Sequence, residues 1–179
     1  MITLQGLDVV ADREEVVGFM TANDFPFHVG GRPTREQVLT RLSADGWNRA
    51  SWIVNDTLGR IGIARLEDVG DEVGPDETPM FDLRLAGHAR GRGLGQQALR
   101  VLTERVFTTL PVRRFEGCTR IDNLAMRHTF LACGWVKEAH YREAWPVAGG
   151  QPLDAVNYAI LRRDWETGTT TPVRFDDHA

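Results

Sequence analysis

Arg90-Gly91-Arg92-Gly93-Leu94-Gly95 lies between two stretches of different period, and its reading decides the fold. Before it, Phe81, Leu83 and Leu85 alternate with Asp82 and Arg84, the two-residue period of a half-buried strand. After it, Leu99, Leu102, Val106 and Leu110 recur at three- and four-residue spacing, the pattern of an amphipathic helix that Pro111 ends. A helix entered this way leaves its first backbone N–H groups without partners, and the aligned peptide dipoles add roughly half a positive charge there. Glycines admit positive φ and close approach to backbone, while Arg90 and Arg92 offer charge-assisted contacts. The stretch therefore suits a phosphate or pyrophosphate, and the competing reading is a sharp turn carrying exposed arginines. It lacks the Gly-x-Gly-x-x-Gly spacing of dinucleotide-binding loops and any Gly-Lys-Ser/Thr ending, so a nucleoside-triphosphate loop is unsupported.

Upstream, a short helix is expected from near Asp12, carrying Val16, Val17, Phe19 and Met20. A second starts at Thr34, which with Gln37 forms a capping-box pair, and runs through Val38, Leu39 and Leu42 until Gly46. Asp24-Phe25-Pro26-Phe27-His28, closed by Gly30-Gly31, joins them as a ring-rich loop of the kind that covers a site. Strands at 51–54 and 61–66 flank Asn55-Asp56-Thr57-Leu58-Gly59, a hairpin turn. The acidic Gly- and Pro-rich stretch from Glu67 to Pro79 is a loop. Downstream, a strand at 115–119 leads to a helix capped by Asp122, bearing Met126, Phe130 and Cys133 and stopped by Gly134. Two long strands at 135–145 and 155–161 turn at Gly149-Gly150. Neither an internal repeat nor a second hydrophobic core is evident, so the order of elements argues for one mixed α/β layer domain over 1–165 with a loose tail at 166–179.

Composition excludes more than it selects. At 179 residues the chain suits one domain with a sizeable core, and 42% hydrophobic with 26% charged residues fits neither disorder nor collagen. The net charge of −4 gives no general attraction to nucleic acid. Lys137 is the only lysine, so the basic population is almost all arginine. Cys118 and Cys133 lack metal-ligand spacing and form no disulfide framework, and no metal is expected. The start carries no basic segment followed by an apolar one, and no apolar run is long enough to cross a membrane, which together lead to the expectation of a cytoplasmic protein without membrane partners.

Arg90, Gly93 and Gly95 match the pattern Arg/Gln-x-x-Gly-x-Gly/Ala, and the helix opened by Asp122-Asn123 closes on Ala132-Cys133-Gly134-Trp135. The chain thereby resembles the GNAT acetyltransferase superfamily. Glu138-Ala139-His140-Tyr141-Arg142-Glu143 and Asp154 to Leu161 look like the last two strands of its RimJ/RimL branch, the N-terminal acetyltransferases and their relatives. The resemblance covers Phe81 to Trp165 well and the N-terminal third poorly. It implies an α+β GNAT fold, a mostly antiparallel central sheet of about seven strands flanked by about four helices, with splayed central strands forming the coenzyme A cleft.

The implied reaction is acetyl transfer from acetyl-CoA to a primary amine, a protein N-terminus or a small amine, by direct attack in a ternary complex. Another acyl donor and a non-catalytic acyl-CoA-binding module are the alternatives. By the resemblance, the pyrophosphate rests on Arg90, Gly91, Arg92, Gly93, Leu94 and Gly95. Pantetheine pairs with Leu83, Arg84 and Leu85, Asn123 bonds its arm, and the Leu83 N–H polarises the thioester carbonyl. Amine attack needs a base. Asp82 is the first candidate, although its strand parity also fits a solvent-facing carboxylate; Glu143 and Glu67 are alternatives, and His28 and His140 rank below them. Phe25, Phe27 and His28, with Trp47, are placed as an acceptor lid, with Tyr141 and Trp145 as its other wall; core packing is the competing reading for each ring. A homodimer through the last strands is a further possibility. Two positions depart from the family. Phe130 stands where many members carry a Tyr acid, and Met80 stands where the RimJ/RimL branch has a Glu. Cys118 is more simply a buried strand thiol than a nucleophile.

Overall fold

The computed structural model describes residues 1–44 and 47–174. Seven strands form two antiparallel sheets, β1(Ile2–Gly6), β2(Ala50–Asn55), β3(Gly59–Glu67) and β4(Met80–Leu85) in order, then β5(Arg114–Arg120), β7(Leu153–Leu161) and β6(Val136–Trp145). Among the described residues five α-helices accompany the sheets: α1(Arg13–Ala22), α2(Arg35–Ser43), α3(Leu94–Thr109), α4(Leu124–Ala132) and α5(Arg162–Thr167).

Local chemistry accounts for most of these boundaries. Thr34 accepts from the Gln37 N–H while the Gln37 side chain returns to the Thr34 N–H, a complete capping box for α2. The expected stop at Gly46 lies outside the described residues. In the β2–β3 turn, Asn55 Oδ1 accepts from the N–H groups of Thr57 and Leu58, and Gly59 takes φ +73°. Helix α4 is capped by Asn123, whose side chain accepts from the Met126 N–H, and not by Asp122, which pairs with Arg120 at 2.6 Å. Strand β1 and helix α5 are additions to the expected elements. Alternation of buried Ile2 and Leu4 with exposed Thr3 marks β1 as half-buried. Arg162 at the start of α5 donates to the carbonyls of Phe107, Leu110 and Val112, and buried Asp164 accepts from Thr171, so the first part of the expected tail is tied down.

The expectation of a single core needs correction. The first sheet is covered on both faces: Ile53 and Ile61 pack on α3, whereas Trp52 and Ile63 meet Val16, Val17 and Met20 of α1 and Val38 of α2. The two apolar clusters share that sheet as a common wall. Consequently both parities of a strand such as β4 are enclosed, a fact that governs the site.

The two sheets meet at one end and part at the other. Glu116 N–H donates to Pro79 O at 3.0 Å, and Phe81 packs on Phe115 with ring centroids 5.3 Å apart. Gly117 makes this closure possible. A Cβ there would stand 2.7 Å from both Phe81 and Phe130 ring atoms. Beyond this point β4 and β5 belong to separate sheets and leave a gap.

Candidate active site

Two cavities open along that gap. One, about 410 Å³, lies against Leu83 to Leu85, the glycine turn and the start of α4. The other, about 640 Å³, lies against Trp47, Arg65, Glu67, Asp82 and Trp145. Phe27, His28, Leu83, Arg84, Asn123 and Met126 border both.

The first cavity is built mainly from backbone. Ala86 N–H donates to Ile61 O on β3, so by strand alternation the N–H groups of Arg84 and Asp82 face β3 and those of Leu83 and Leu85 face the gap. Gly91 and Gly93 take φ +70° and +74°, and Gly93 is the left-handed residue preceding α3. The first N–H groups of α3, from Leu94 to Gln96, have no intrahelical acceptor and form an anion cradle beside the cavity. Leu94 itself sends its side chain into the core, so only its backbone is available there. Arg92 is exposed, whereas Arg90 differs from expectation: its guanidinium donates to Leu85 O at 2.9 Å and to Asp24 O, fixing the loop. Asn123, besides capping α4, donates to Thr119 Oγ1 at 3.0 Å. Its local role and a position on the cleft coexist.

The second cavity is built from side chains. His28 Nε2 lies 2.9 Å from Asp82 Oδ1, and Arg84 holds the same carboxylate through Nε at 2.9 Å and Nη2 at 2.8 Å. Asp82 is 17% exposed, so the solvent-facing reading fails: α1 and the loop before α2 cover that face of the sheet. Burial pushes its carboxyl up, but the His28 hydrogen bond and Arg84 outweigh that and hold it far below the ordinary carboxylate range. A carboxylate so held accepts hydrogen bonds and binds protons weakly. An ionised Asp82 can only accept, so the shared hydrogen belongs to His28 Nε2, and in the neutral form of the ring Nδ1 keeps a lone pair. Opposite Met80 in the β3–β4 register stands Glu67, which pairs with Arg65 and whose carboxyl burial pushes up against the pull of that arginine. A carboxylate at the mouth of β4 is therefore present, but on the neighbouring strand.

Several expected residues stand differently from expectation. Phe25 borders the first cavity rather than the second; it is 2% exposed and belongs to the second core cluster, with the Arg84 guanidinium 5.0 Å over its ring. Glu143 and Tyr141 are exposed on β6 outside both cavities; Glu143, at φ +53°, occupies a bulge fixed by its N–H to Asp154 Oδ1. His140 likewise pairs with Asp154 at 2.6 Å. Phe27 reaches across the gap to lie under Arg120, 4.9 Å from its ring centroid. Phe130 borders the larger cavity but is buried and stacks on Tyr158 at 4.6 Å, with its Cζ against Gly117, so a phenolic hydroxyl at this position would meet the Gly117 backbone. Burial raises the Cys118 thiol, which leaves it a poor nucleophile. Among the described residues no cluster of three or more metal-ligating side chains and no helix long and apolar enough to cross a membrane occurs.

Residues 2–136 match the model of the acetyltransferase (GNAT) domain. The chain belongs to the GNAT acetyltransferase family. The GNAT chain is thus an acetyltransferase with acetyl-CoA as co-substrate. Solved structures share the fold: a GNAT-family acetyltransferase from Bacillus anthracis aligns at TM-score 0.74 and 14% identity, covering 90% of this chain and 95% of that one. A spermidine N-acetyltransferase from Vibrio cholerae, in complex with CoA and spermine, aligns at TM-score 0.71 and 16% identity, covering 92% and 98%. The backbone-lined cavity is the one whose chemistry fits the cofactor: a row of inward N–H groups, a helix start and an exposed arginine suit an amide chain ending in pyrophosphate.

Proposed function

We propose that the protein transfers the acetyl group of acetyl-CoA to a primary amine by direct attack, with the donor in the backbone-lined cavity and the acceptor in the side-chain-lined one. The observation that carries this is the His28–Asp82 pair at the border of the two cavities, on the strand whose Leu83 N–H faces the gap. In this reading, His28 Nδ1 takes the proton as the amine nitrogen bonds to the thioester carbon. Asp82 orients the ring and stabilises its charged form, and the Leu83 N–H donates to the developing oxyanion. The carbon–sulfur bond then breaks, and the thiolate takes a proton from water, since Phe130 offers none. Gly93, Leu94, Gly95 and Arg92 bind the pyrophosphate, Leu83 to Leu85 and Asn123 bind the pantetheine arm, and Phe27 covers the junction. Asp82 thus becomes a positioning residue, and Glu143 and Tyr141 have no part in the chemistry. The asparagine-capped α4 and paired β6 and β7 support a place in the RimJ/RimL branch.

The test is thiol release from acetyl-CoA across a panel of primary amines, with Kd for acetyl-CoA measured in parallel. Amine-dependent thiol release is expected. Tight donor binding without release from any amine would leave only a binding module, and release from propionyl- or succinyl-CoA alone would reassign the acyl group.

A further inference from the structure

The acceptor cavity contains three guanidinium groups, of Arg41, Arg65 and Arg84, against two carboxylates, of Glu67 and Asp82. Both carboxylates are already engaged, Asp82 by Arg84 and His28 and Glu67 by Arg65. Arg41, exposed on α2, has no carboxylate partner among the described residues. Its guanidinium stands near Gly30 of the loop that carries Phe27 and His28, with Nη2 3.7 Å from the position of a Cβ there. A second observation is independent of the charges. Trp145 borders the same cavity, and its indole N–H, which can only donate, is buried without an acceptor among the described residues. Among the described residues, both carboxylates of this cavity are engaged while Arg41 and the Trp145 indole are not, and a buried donor left unmatched carries a desolvation cost that a bound acceptor oxygen removes.

Resting on the acetyl-transfer reading above, we infer that the acceptor is a primary amine bearing an anionic group, a carboxylate or a phosphate ester, whose oxygens are received by Arg41 and the Trp145 indole N–H. A polycation meets the opposite arrangement: its second ammonium finds no unpaired carboxylate among the described lining residues, and it faces Arg41.

The experiment compares kcat/KM for acceptors that differ only in the anion: O-phosphoethanolamine against ethanolamine, and alanine against alaninamide, with spermidine as the polycation. At least ~10-fold preference for one or both anionic members is expected, the two pairs distinguishing phosphate from carboxylate, because charge-assisted hydrogen bonds are the strong ones. Arg41→Gln collapses the preferred ratio toward one through KM. Trp145→Phe, which keeps the ring, lowers the ratio less, and an unchanged Kd for acetyl-CoA shows that both variants are folded. Equal use of each pair, or preference for spermidine, overturns this inference and leaves acetyl transfer standing. Absence of thiol release from every amine overturns both.

Discussion

The cavity we assign to the donor is lined by backbone and the one we assign to the acceptor by side chains, and the contrast explains what each can tell about function. On the donor side, β4 presents the N–H groups of Leu83 and Leu85, and α3 presents its first turn. Any sequence that keeps the strand, the positive-φ glycines and the helix start reproduces this surface. On the acceptor side, His28 meets Asp82 across a sequence separation of 54, and Trp145 joins from β6. Nothing local enforces that assembly. It exists because α1, α2 and the loop between them close over the second face of the first sheet.

Breaking each half separately tests this division. His28→Gln should have the largest effect, lowering kcat by about 10²–10⁴-fold, the usual worth of a positioned base, with Kd for acetyl-CoA unchanged. Stopped-flow thiol release and donor titration on the same samples check both numbers. Gly93→Val acts on the other half. Nothing lies within 4 Å of the added Cβ, so the damage comes from forcing a β-branched residue to φ +74° at the helix start. Kd for acetyl-CoA should rise about 10–100-fold in calorimetric titration, with the far-UV spectrum preserved.

Asp82→Asn sharpens the comparison on the acceptor side through pH. The folded carboxyl is held below its ordinary value, so its stabilisation is present above about pH 4 and lost as pH falls from there toward the folded value. Urea unfolding should show the wild type losing about 1 kcal/mol more than Asp82→Asn between pH 7 and pH 3, the part of the linkage that falls within that window. Phe130→Tyr is the smallest perturbation. Its hydroxyl would press on Gly117, and the expected result is a loss of about 1 kcal/mol of stability and no gain in kcat. A gain would mean that the ring reaches the leaving thiolate.

Legibility followed the same division. The turn from Arg90 to Gly95, the spacing of α3 and the existence of α4 were readable because glycine conformation and helical period are local properties, whereas the cap of α4 fell one residue later than expected, on Asn123. Asp82 was legible as a position but not as an environment: strand parity turns it away from the Phe81 face, and only tertiary structure reveals that the opposite face is also enclosed. For that reason a carboxylate that looked like a base is held by Arg84 and His28, and our proposal gives the base role to His28 instead. Glu143 sits in a bulge of β6 that no glycine or proline announces, and both it and Tyr141 lie outside the two cavities. Arg162 and Asp164, which tie α5 to the end of α3 and to Thr171, act through long-range contacts that no local pattern encodes.

The most direct test of the account is a crystal structure with acetyl-CoA bound. The account predicts pyrophosphate oxygens on the N–H groups from Gly93 to Gln96, the thioester oxygen about 3 Å from the Leu83 nitrogen, and His28 facing the carbonyl carbon from the side of the 640 Å³ cavity. A thioester lying away from Leu83, or a His28 ring separated from it by the body of the cofactor, would contradict it.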